Sequence, residues 1–203
     1  MSSVQYALLR HGKTEWNVEK RVQGWLDSPL SPEGVERYEK FALQMPKFGF
    51  DGILCSDLGR AVATATILNQ SVRLPIVQDG RLREQCFGRL EGLVCSEDDY
   101  AVLKKARDIH SDSERVEGME SFDTVQQRAT AALCEHAQNY AGQKILVVTH
   151  HRLIVSLVTH LWGRLDFANQ NVQLKSRQLQ WLRSSSGCLG IETINSKFKI
   201  LSG

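Results

Sequence analysis

The amino-acid sequence predicts an α/β protein, a three-layer sandwich whose mainly parallel central sheet is flanked by helices. Three short apolar runs, at 4–9, 52–55 and 145–148, lack the regular polar alternation of half-exposed strands. Such runs are typical of strands that are covered on both faces, as in parallel sheets. Because segments with helical periodicity lie between and after these runs, we expect parallel strands joined by right-handed crossovers.

Four helices are predicted from apolar residues that recur every three or four positions. Ser31 followed by Pro32 has the pattern of an N-cap and a first helical residue, and Ser121 is a second predicted N-cap. Gly142 is expected to end the helix that follows Ser121. The predicted helices cover 32–45, 58–68, 122–140 and 153–161.

Two regions break the alternation of strands and helices. Residues 85–119 carry a highly charged stretch and are expected to form a small, partly helical lid inserted into one domain that spans 1–203. Residues 188–194 and 197–201 are predicted to form a C-terminal hairpin at a sheet edge. Residues 164–186 are expected to contain a helix and a loop.

Composition excludes several classes of protein. With 42% hydrophobic residues, the chain is too apolar to be disordered. Its formal net charge of only +2 lacks the excess of Lys and Arg that is typical of nucleic-acid-binding proteins. No run approaches the roughly 18 apolar residues of a membrane span, and the N-terminus lacks a signal-peptide pattern. Five cysteines without a C-x-x-C pair are typical of reduced thiols, so a cytoplasmic location is expected. The edge hairpin would permit a homodimer without implying one.

Cationic and imidazole side chains follow the predicted strands. Arg10 and His11 come after the first strand, Arg60 opens the helix after the second, and His150 and His151 follow the third. In open α/β sheets, ligands bind at the carboxyl ends of the strands. Arginines and helix N-termini meeting there favour a phosphate or another oxyanion.

Six sequence blocks then occur in an order that resembles the histidine phosphatase superfamily, the group that includes cofactor-dependent phosphoglycerate mutases. An Arg-His-Gly triplet alone is a weak signal, whereas the ordered set across residues 4–161 is strong. The blocks are LLRHGKTEWN (8–17), GWLDSPLSPEG (24–34), CSDLGRAVATA (55–65), LREQCFGRLEG (82–92), EGMESFDTVQQR (117–128) and VVTHH (147–151).

The resemblance implies a catalytic role for five residues. His11 would be the nucleophile that takes the phosphoryl group, because a neutral imidazole has an available nitrogen near pH 7. Arg10, Arg60 and His150 would surround the transferring group and oppose the charge on its oxygens. Glu84 matches the acid/base position of the family and would protonate the leaving oxygen.

The resemblance also implies a set of substrate-binding residues. Asn17, with Gln23 and Gly24 nearby, would hold the phosphate pocket. His151 replaces the glycine that the family usually carries, and it would either narrow the pocket or add a phosphate contact. The pattern also departs from the family after Trp162, so no functional residue is transferred from that region.

Several alternatives remain open at the level of sequence. Arg60 would also suit an ion pair on a helix surface, and Glu91 lies in the same block as Glu84 but reads better as a loop residue. Residues 27–30 are expected to form a turn before Ser31 and not to supply a catalytic carboxylate. A zinc site is disfavoured, because the adjacent residues 150 and 151 cannot place both rings on one helical face. Structural roles are expected for the remaining histidines, His110, His136 and His160.

The branch of the family sets the expected reaction. The block LREQCFG resembles the phosphatase branch, whereas the mutases carry Arg-Leu-Asn-Glu-Arg-His-Tyr-Gly and a longer chain. The expected function is a phosphomonoesterase that needs no metal or cofactor and acts on a small phosphorylated metabolite. Phosphoglycerate mutase-type transfer is the second hypothesis. A catalytically weak module that binds phosphorylated ligands is the third.

Overall fold

The structure is a computed structural model that describes residues 3–94, 116–162, 179–185 and 188–190. Most of the predicted lid, residues 95–115, lies outside the described residues. The flanking segments of that region are irregular and are joined by a bridge between Phe87 and Met119. Within the described ranges, no helix combines the length and apolarity needed to cross a bilayer.

The described strands form one mixed, mainly parallel sheet, which confirms the predicted fold class. The strand order is β3-β2-β4-β1-β5-β6. The pairs β1–β4, β4–β2 and β2–β3 are parallel, whereas β5 runs antiparallel to β1, and β6 to β5. The strands are β1 (Val4–Arg10), β2 (Gly52–Cys55), β3 (Ile76–Gln78), β4 (Lys144–Thr149), β5 (Gln180–Ser185) and β6 (Cys188–Gly190).

Helices cover both faces of this sheet. They are α1 (Glu15–Val18), α2 (Pro32–Ala42), α3 (Gly59–Asn69), α4 (Phe122–Asn139) and α5 (His151–Trp162). Helices α2 and α3 pack on the face that carries Ala7 and Leu9 of β1. Helices α4 and α5 pack on the opposite face, against Tyr6 and Leu8. Because successive side chains of β1 are buried on opposite faces, the strand shows no polar alternation.

Local capping explains where two of the predicted helices begin. The hydroxyl of Ser31 accepts a hydrogen bond from the backbone N–H of Gly34, with Pro32 at the first helical position. The hydroxyl of Ser121 accepts from Thr124 in the same way. Helix α2 ends at Ala42, earlier than predicted, and the chain continues into a short 3-10 turn that buries Met45.

Two strands were not predicted from the sequence. Strand β3 has three residues, of which Ile76 is half-buried and the other two are exposed, so it carries no apolar pattern. Residues 180–185 form strand β5. The prediction of a helix and a loop for residues 164–186 is therefore wrong for this part of the range. Strand β6 lies at the sheet edge as expected but pairs with β5. Its predicted partner, 197–201, lies outside the described residues.

Asp79 joins the end of β3 to helix α4. Its carboxylate accepts hydrogen bonds from the backbone and guanidinium of Arg81 and from Nε2 of His136. Burial by itself would raise the pKa of Asp79, but these hydrogen bonds outweigh it and lower the pKa from 3.8 to about 2. When folding lowers the pKa of a carboxyl, the ionised group stabilises the folded state at any pH above the pKa that it has in the unfolded chain. For Asp79 this stabilisation is lost as the pH falls from about 4 to about 2.

Replacing Asp79 by asparagine is therefore expected to lower the free energy of unfolding at pH 7 by about 1.5–3 kcal/mol, the range for hydrogen bonds to a charged group. Urea unfolding of the parent and of Asp79→Asn, measured from pH 7 down to pH 2.5, checks this. The difference should shrink as the parent carboxylate becomes protonated. Glu39→Gln, on the exposed face of α2, is the matched control. Equal unfolding midpoints for Asp79→Asn and Glu39→Gln at pH 7 would contradict the prediction.

Candidate active site

Two histidines meet where β1 and β4 end. Arg10 pairs with Thr149 in the parallel register, so His11 and His150 follow neighbouring positions. The backbone N–H of His11 donates to the carbonyl of Thr149 at 2.9 Å. The two imidazole centroids lie 5.1 Å apart, and both rings are buried. The structure thus brings together Arg10, His11 and His150 at the carboxyl edge of the sheet.

The loop that carries His11 is held by side chains from α2 and α3. The hydroxyl of Tyr38 donates to the carbonyl of Arg10, and the N–H of Gly12 donates to Oγ1 of Thr64 at 3.0 Å. A Cβ on residue 12 would lie 3.2 Å from Leu30 and 3.3 Å from Tyr38, so a larger residue would displace this packing.

Hydrogen bonding selects one tautomer of His11. Its Nδ1 lies 2.7 Å from the carbonyl oxygen of Gly12, which can only accept a hydrogen bond. Nδ1 therefore carries the proton, and in the neutral ring Nε2 keeps its lone pair. This arrangement leaves Nε2 unprotonated and chemically able to act as a nucleophile.

Burial and nearby arginines keep both histidines neutral. The pKa of His11 lies well below 6.5, first because the ring is buried and then because of the charges of Arg10 and Arg60. The pKa of His150 is likewise well below 6.5, through burial, Arg60 and His11. At neutral pH the site therefore combines fixed positive charge from the arginines with uncharged imidazoles.

Arg60 opens α3 and is almost completely buried, with 1% of its surface exposed. Its Nη1 donates to the carbonyl of Leu26 at 2.8 Å and to Oδ1 of Asp27 at 2.9 Å, and its Nη2 donates to the carbonyl of Gly24 at 2.7 Å. Three acceptors from the single turn 24–27 thus fix the guanidinium. Arg60 thus does form an ion pair, with Asp27, but its guanidinium is buried at the site and not exposed on a helix surface.

Some buried nitrogens of the site have no hydrogen-bond partner among the described residues. Nε of Arg60 and both ring nitrogens of His150 are buried without a hydrogen-bond partner in that part of the chain. Buried polar atoms are nearly always hydrogen-bonded, and exceptions call for an explanation. The hydroxyl of Thr64 links Arg60 to Gly12, next to His11, and the ring of His150 lies 5.1 Å from that of His11, so Arg60 and His150 border the same site. The Nε–H of Arg60 and the one protonated nitrogen of neutral His150 can donate to the oxygens of a phosphoryl group.

The carboxylate of Glu84 lies at the N-terminus of α5, directly after His150. Oε1 accepts from the backbone N–H of Arg152 at 3.1 Å and from that of Gln85 at 3.0 Å. The backbone carbonyl of Glu84 accepts from Nη2 of Arg128 at 2.8 Å and from the indole N–H of Trp25 at 2.8 Å. These contacts hold a buried carboxylate beside the two histidines.

Glu91 occupies a different position. Its Oε1 accepts from the backbone N–H groups of Trp25 and Phe87, at 3.0 and 2.8 Å, and so connects two loops. Gly24 has a φ of +55°, and a Cβ there would lie 1.9 Å from this oxygen. Residue 24 must therefore be glycine for Glu91 to hold the turn that fixes Arg60.

The remaining predicted binding residues surround this centre in different ways. Oδ1 of Asn17 accepts from the N–H of Thr14 and completes the capping box of α1, which leaves its amide N–H₂ for a ligand. Gln23 is buried, and its Oε1 has no partner among the described residues. His151 begins α5, is half-buried and lies close enough to His11 to lower the pKa of that ring.

Sequence reasoning missed two residues that position the site. Asp27 lies in the predicted turn, but its carboxylate also accepts from both the backbone and the side chain of Arg60. Thr64 bridges the carbonyl of Arg60 and the N–H of Gly12 through its hydroxyl. Thr64 lies four residues after Arg60 and thus on the same helical face, which is the one signal that the sequence offered.

Metal-ligand side chains near the site are the remaining question for its chemistry. Within the ranges that the structure describes, no three side chains of His, Cys, Asp or Glu are grouped as a metal ion would require. The described residues supply imidazoles, guanidiniums and one buried carboxylate around a space for an oxyanion. That set can perform nucleophilic attack, charge stabilisation and proton transfer.

Comparison with known proteins agrees with this chemistry. The sequence model of the histidine phosphatase superfamily (branch 1) matches residues 6–197. The probable phosphoglycerate mutase GpmB of Salmonella paratyphi B is 31% identical over 192 residues, which cover 89% of this chain and 89% of that protein.

Solved structures show the same fold. Phosphoglycerate mutase from Bacillus anthracis str. Sterne has a TM-score of 0.79 and 25% identity, covering 94% of this chain and 92% of that one. A mycobacterial glucosyl-3-phosphoglycerate phosphatase has a TM-score of 0.73 and 28% identity, covering 91% and 93%. The family resemblance stated from the sequence blocks is confirmed, and this chain belongs to the histidine phosphatase superfamily, branch 1.

Proposed function

We propose that this protein is a phosphomonoesterase that needs no metal and forms a phosphohistidine on His11, with a small phosphorylated metabolite as substrate. One observation carries the proposal. The buried, neutral His11 presents Nε2 beside the unpartnered nitrogens of Arg60 and His150. A nucleophile next to preorganised donors is the arrangement that phosphoryl transfer requires.

In the first step, Nε2 of His11 attacks phosphorus in line with the ester bond. The N–P bond forms as the P–O bond to the alcohol breaks. Arg10, Arg60 and His150 donate hydrogen bonds to the equatorial oxygens, where negative charge is concentrated. The Glu84 carboxyl delivers a proton to the leaving oxygen, so the leaving group departs as a neutral alcohol.

In the second step, water hydrolyses the phosphohistidine. Glu84, now a carboxylate, takes a proton from the water while the water oxygen attacks phosphorus. The N–P bond breaks, the electron pair returns to Nε2 of His11, and inorganic phosphate leaves. The backbone N–H groups of Gln85 and Arg152 hold the carboxylate in one place through both steps.

The ion pairs near the site favour hydrolysis over a mutase reaction. A mutase must hold a second anionic group of its substrate and keep water out. Arg83 forms two hydrogen bonds with Asp57, at 2.7 and 2.6 Å, and Arg128 pairs with Glu120 at 2.9 Å. These arginines are already neutralised by carboxylates. The related mycobacterial phosphatase, solved in complex with VO3, supports the same choice.

The test is hydrolysis of p-nitrophenyl phosphate in excess EDTA, together with an assay for interconversion of 2- and 3-phosphoglycerate. We expect EDTA-resistant hydrolysis and, in separate assays without EDTA, competitive inhibition by orthovanadate. Isomerisation that is stimulated by 2,3-bisphosphoglycerate and exceeds hydrolysis would favour the mutase. The mutase is the second candidate because relatives of this chain bear that name. Absence of both activities would overturn the proposal.

The depressed histidine pKa values predict the pH dependence. Protonation of Nε2 would remove the nucleophile, so kcat/KM should fall on the acid side at a pH set by the coupled pair of His11 and His150. Because both pKa values lie well below 6.5, the acid-side loss of activity that reports the nucleophile should be centred below pH 6.5.

Profiles of kcat/KM from pH 4 to pH 8 check this prediction. Two substrates whose phosphate groups differ in their second pKa separate titration of the enzyme from titration of the substrate. A common acid limb centred above pH 6.5 for both substrates would contradict the expected depression. His160→Asn, an exposed position on α5, should leave the limb in place.

A further inference from the structure

Exposed apolar side chains gather beside the candidate site. Trp25, Leu26, Leu93 and Val94 are 41–52% exposed and belong to two segments, which we call together the apolar rim. The N–H of Val22 donates to the carbonyl of Leu93, and Arg21 and Val94 form a bridge, so the strand of chain leading to Trp25 runs beside Leu93 and Val94. A Cβ on Gly92 would lie 3.4 Å from the side chain of Leu26, which brings the two segments into contact. Soluble proteins leave contiguous apolar surface exposed mainly where something binds.

The rim is attached to the two residues that the mechanism uses for the leaving group and the phosphate. The indole N–H of Trp25 donates to the carbonyl of Glu84 at 2.8 Å. The carbonyl of Leu26 accepts from Nη1 of Arg60 at 2.8 Å. Trp25 is therefore anchored to the site through its side chain and Leu26 through its backbone, while both side chains still reach solvent.

In-line transfer decides where the alcohol of the substrate must lie. The leaving oxygen is opposite His11, and Glu84 must reach it to donate a proton. The carbon skeleton of the alcohol therefore extends from the Glu84 side of the phosphate toward solvent. Trp25, hydrogen-bonded to the backbone of Glu84, is the exposed side chain that is tied to this side of the site.

The charges around the rim are already balanced. The guanidinium of Arg83 stacks 5.1 Å from the centroid of Trp25 and is held by Asp57. Arg21 binds the carbonyl of Gly92 and the carboxylate of Glu19. An anionic leaving group would have to compete with these carboxylates, whereas an uncharged apolar group would cover exposed hydrophobic surface.

We propose that the apolar rim binds the alcohol portion of the substrate, and that the preferred substrates are phosphate monoesters of uncharged alcohols bearing an extended alkyl or aromatic group. This inference rests on the proposed phosphatase function. It assigns Leu93 and Val94 a role in specificity through their exposed side chains.

The test compares ethyl, butyl, hexyl and 2-phenylethyl phosphate, whose leaving alcohols have similar basicity. A fully buried methylene adds roughly three- to fourfold. For a partly exposed rim we therefore expect the ratio of kcat/KM between hexyl and ethyl phosphate to be at least about tenfold. The double variant Leu93→Ser/Val94→Ser, at two exposed rim residues with no contact to Arg60 or Glu84, should lower this ratio at least about threefold, one methylene's worth, and leave ethyl phosphate little changed. Leu43→Ser, at an exposed leucine after α2, is the matched control and should keep the parent ratio.

The outcomes separate this inference from the proposed function. Absence of His11-dependent hydrolysis of every ester would overturn the function itself. Hydrolysis with equal kcat/KM across the series, or a double variant that keeps the parent ratio, would overturn the rim alone. If the double variant kept the ratio but dissociated a dimer in sedimentation, the rim would be an interface between copies. An unchanged ratio with a lowered melting temperature would show packing against the protein's own chain, and it would also overturn the proposal.

Discussion

Replacing His11 by alanine is expected to lower kcat for p-nitrophenyl phosphate by at least about 10³-fold, the scale seen when a covalent nucleophile is removed. The reason is that the hydrogen bond from Nδ1 to the carbonyl of Gly12 leaves Nε2 of the neutral His11 ring unprotonated within the site. Steady-state kinetics measure the loss. Rapid quenching of the parent with radiolabelled substrate should trap an acid-labile, base-stable phosphoprotein that His11→Ala does not form.

His160→Ala is the matched control, since His160 is exposed on α5 and has no role in the mechanism. It should retain the activity and the phosphoprotein of the parent. Circular dichroism should show that His11→Ala is folded, because the ring contributes one hydrogen bond to a neighbouring backbone oxygen. A His11→Ala protein that still forms the phosphoprotein would show that another residue is the nucleophile.

Replacing Arg60 by lysine is expected to lower kcat by roughly 10²–10³-fold, the cost of losing one preorganised donor to the transition state. The positive charge is retained, but an ammonium group cannot supply the planar fork. Arg60 serves the carbonyls of Gly24 and Leu26 and the carboxylate of Asp27 while its Nε remains for a ligand. Lysine would satisfy at most part of this set.

Asp27→Asn tests whether the carboxylate acts through Arg60. The amide keeps an oxygen acceptor for Nη1 but loses the charge, so kcat should fall only about fivefold, the difference between a charged and a neutral hydrogen bond. Its effect should nearly vanish in an Arg60→Lys background, because the partner is already gone. Arg37→Lys, on the exposed side of α2, is the matched control. Full activity in Arg60→Lys, or additive losses in the double variant, would contradict the assigned coupling.

Elements specified by local interactions were predicted well. Helices α2 and α4 begin at Ser31 and Ser121, where a hydroxyl caps an N–H three residues away. Strands β1, β2 and β4 were recognised because burial on both faces requires uninterrupted apolar residues. Strand β3 was missed because its exposed residues need no apolar pattern. Strand β5 was missed because its sequence, QWLRSS, has no apolar run, and its place in the sheet comes from antiparallel pairing with β1.

By itself, the sequence determined the family and the grouping of Arg10, His11, Arg60 and His150. Parallel strands must end on the same edge, so residues that follow them meet whatever the details of packing. Their catalytic roles stay a prediction until the variants are measured.

Only the tertiary structure decided how these groups are held. Asp27 reaches Arg60 across 33 residues of sequence, and the Glu84 carboxylate binds an N–H 68 residues away. No local pattern marks such contacts, because turns and loops carry little periodicity and their side chains are placed by the whole fold. The six sequence blocks thus identified the family and the chemistry expected of it, whereas long-range packing determined the geometry of the site.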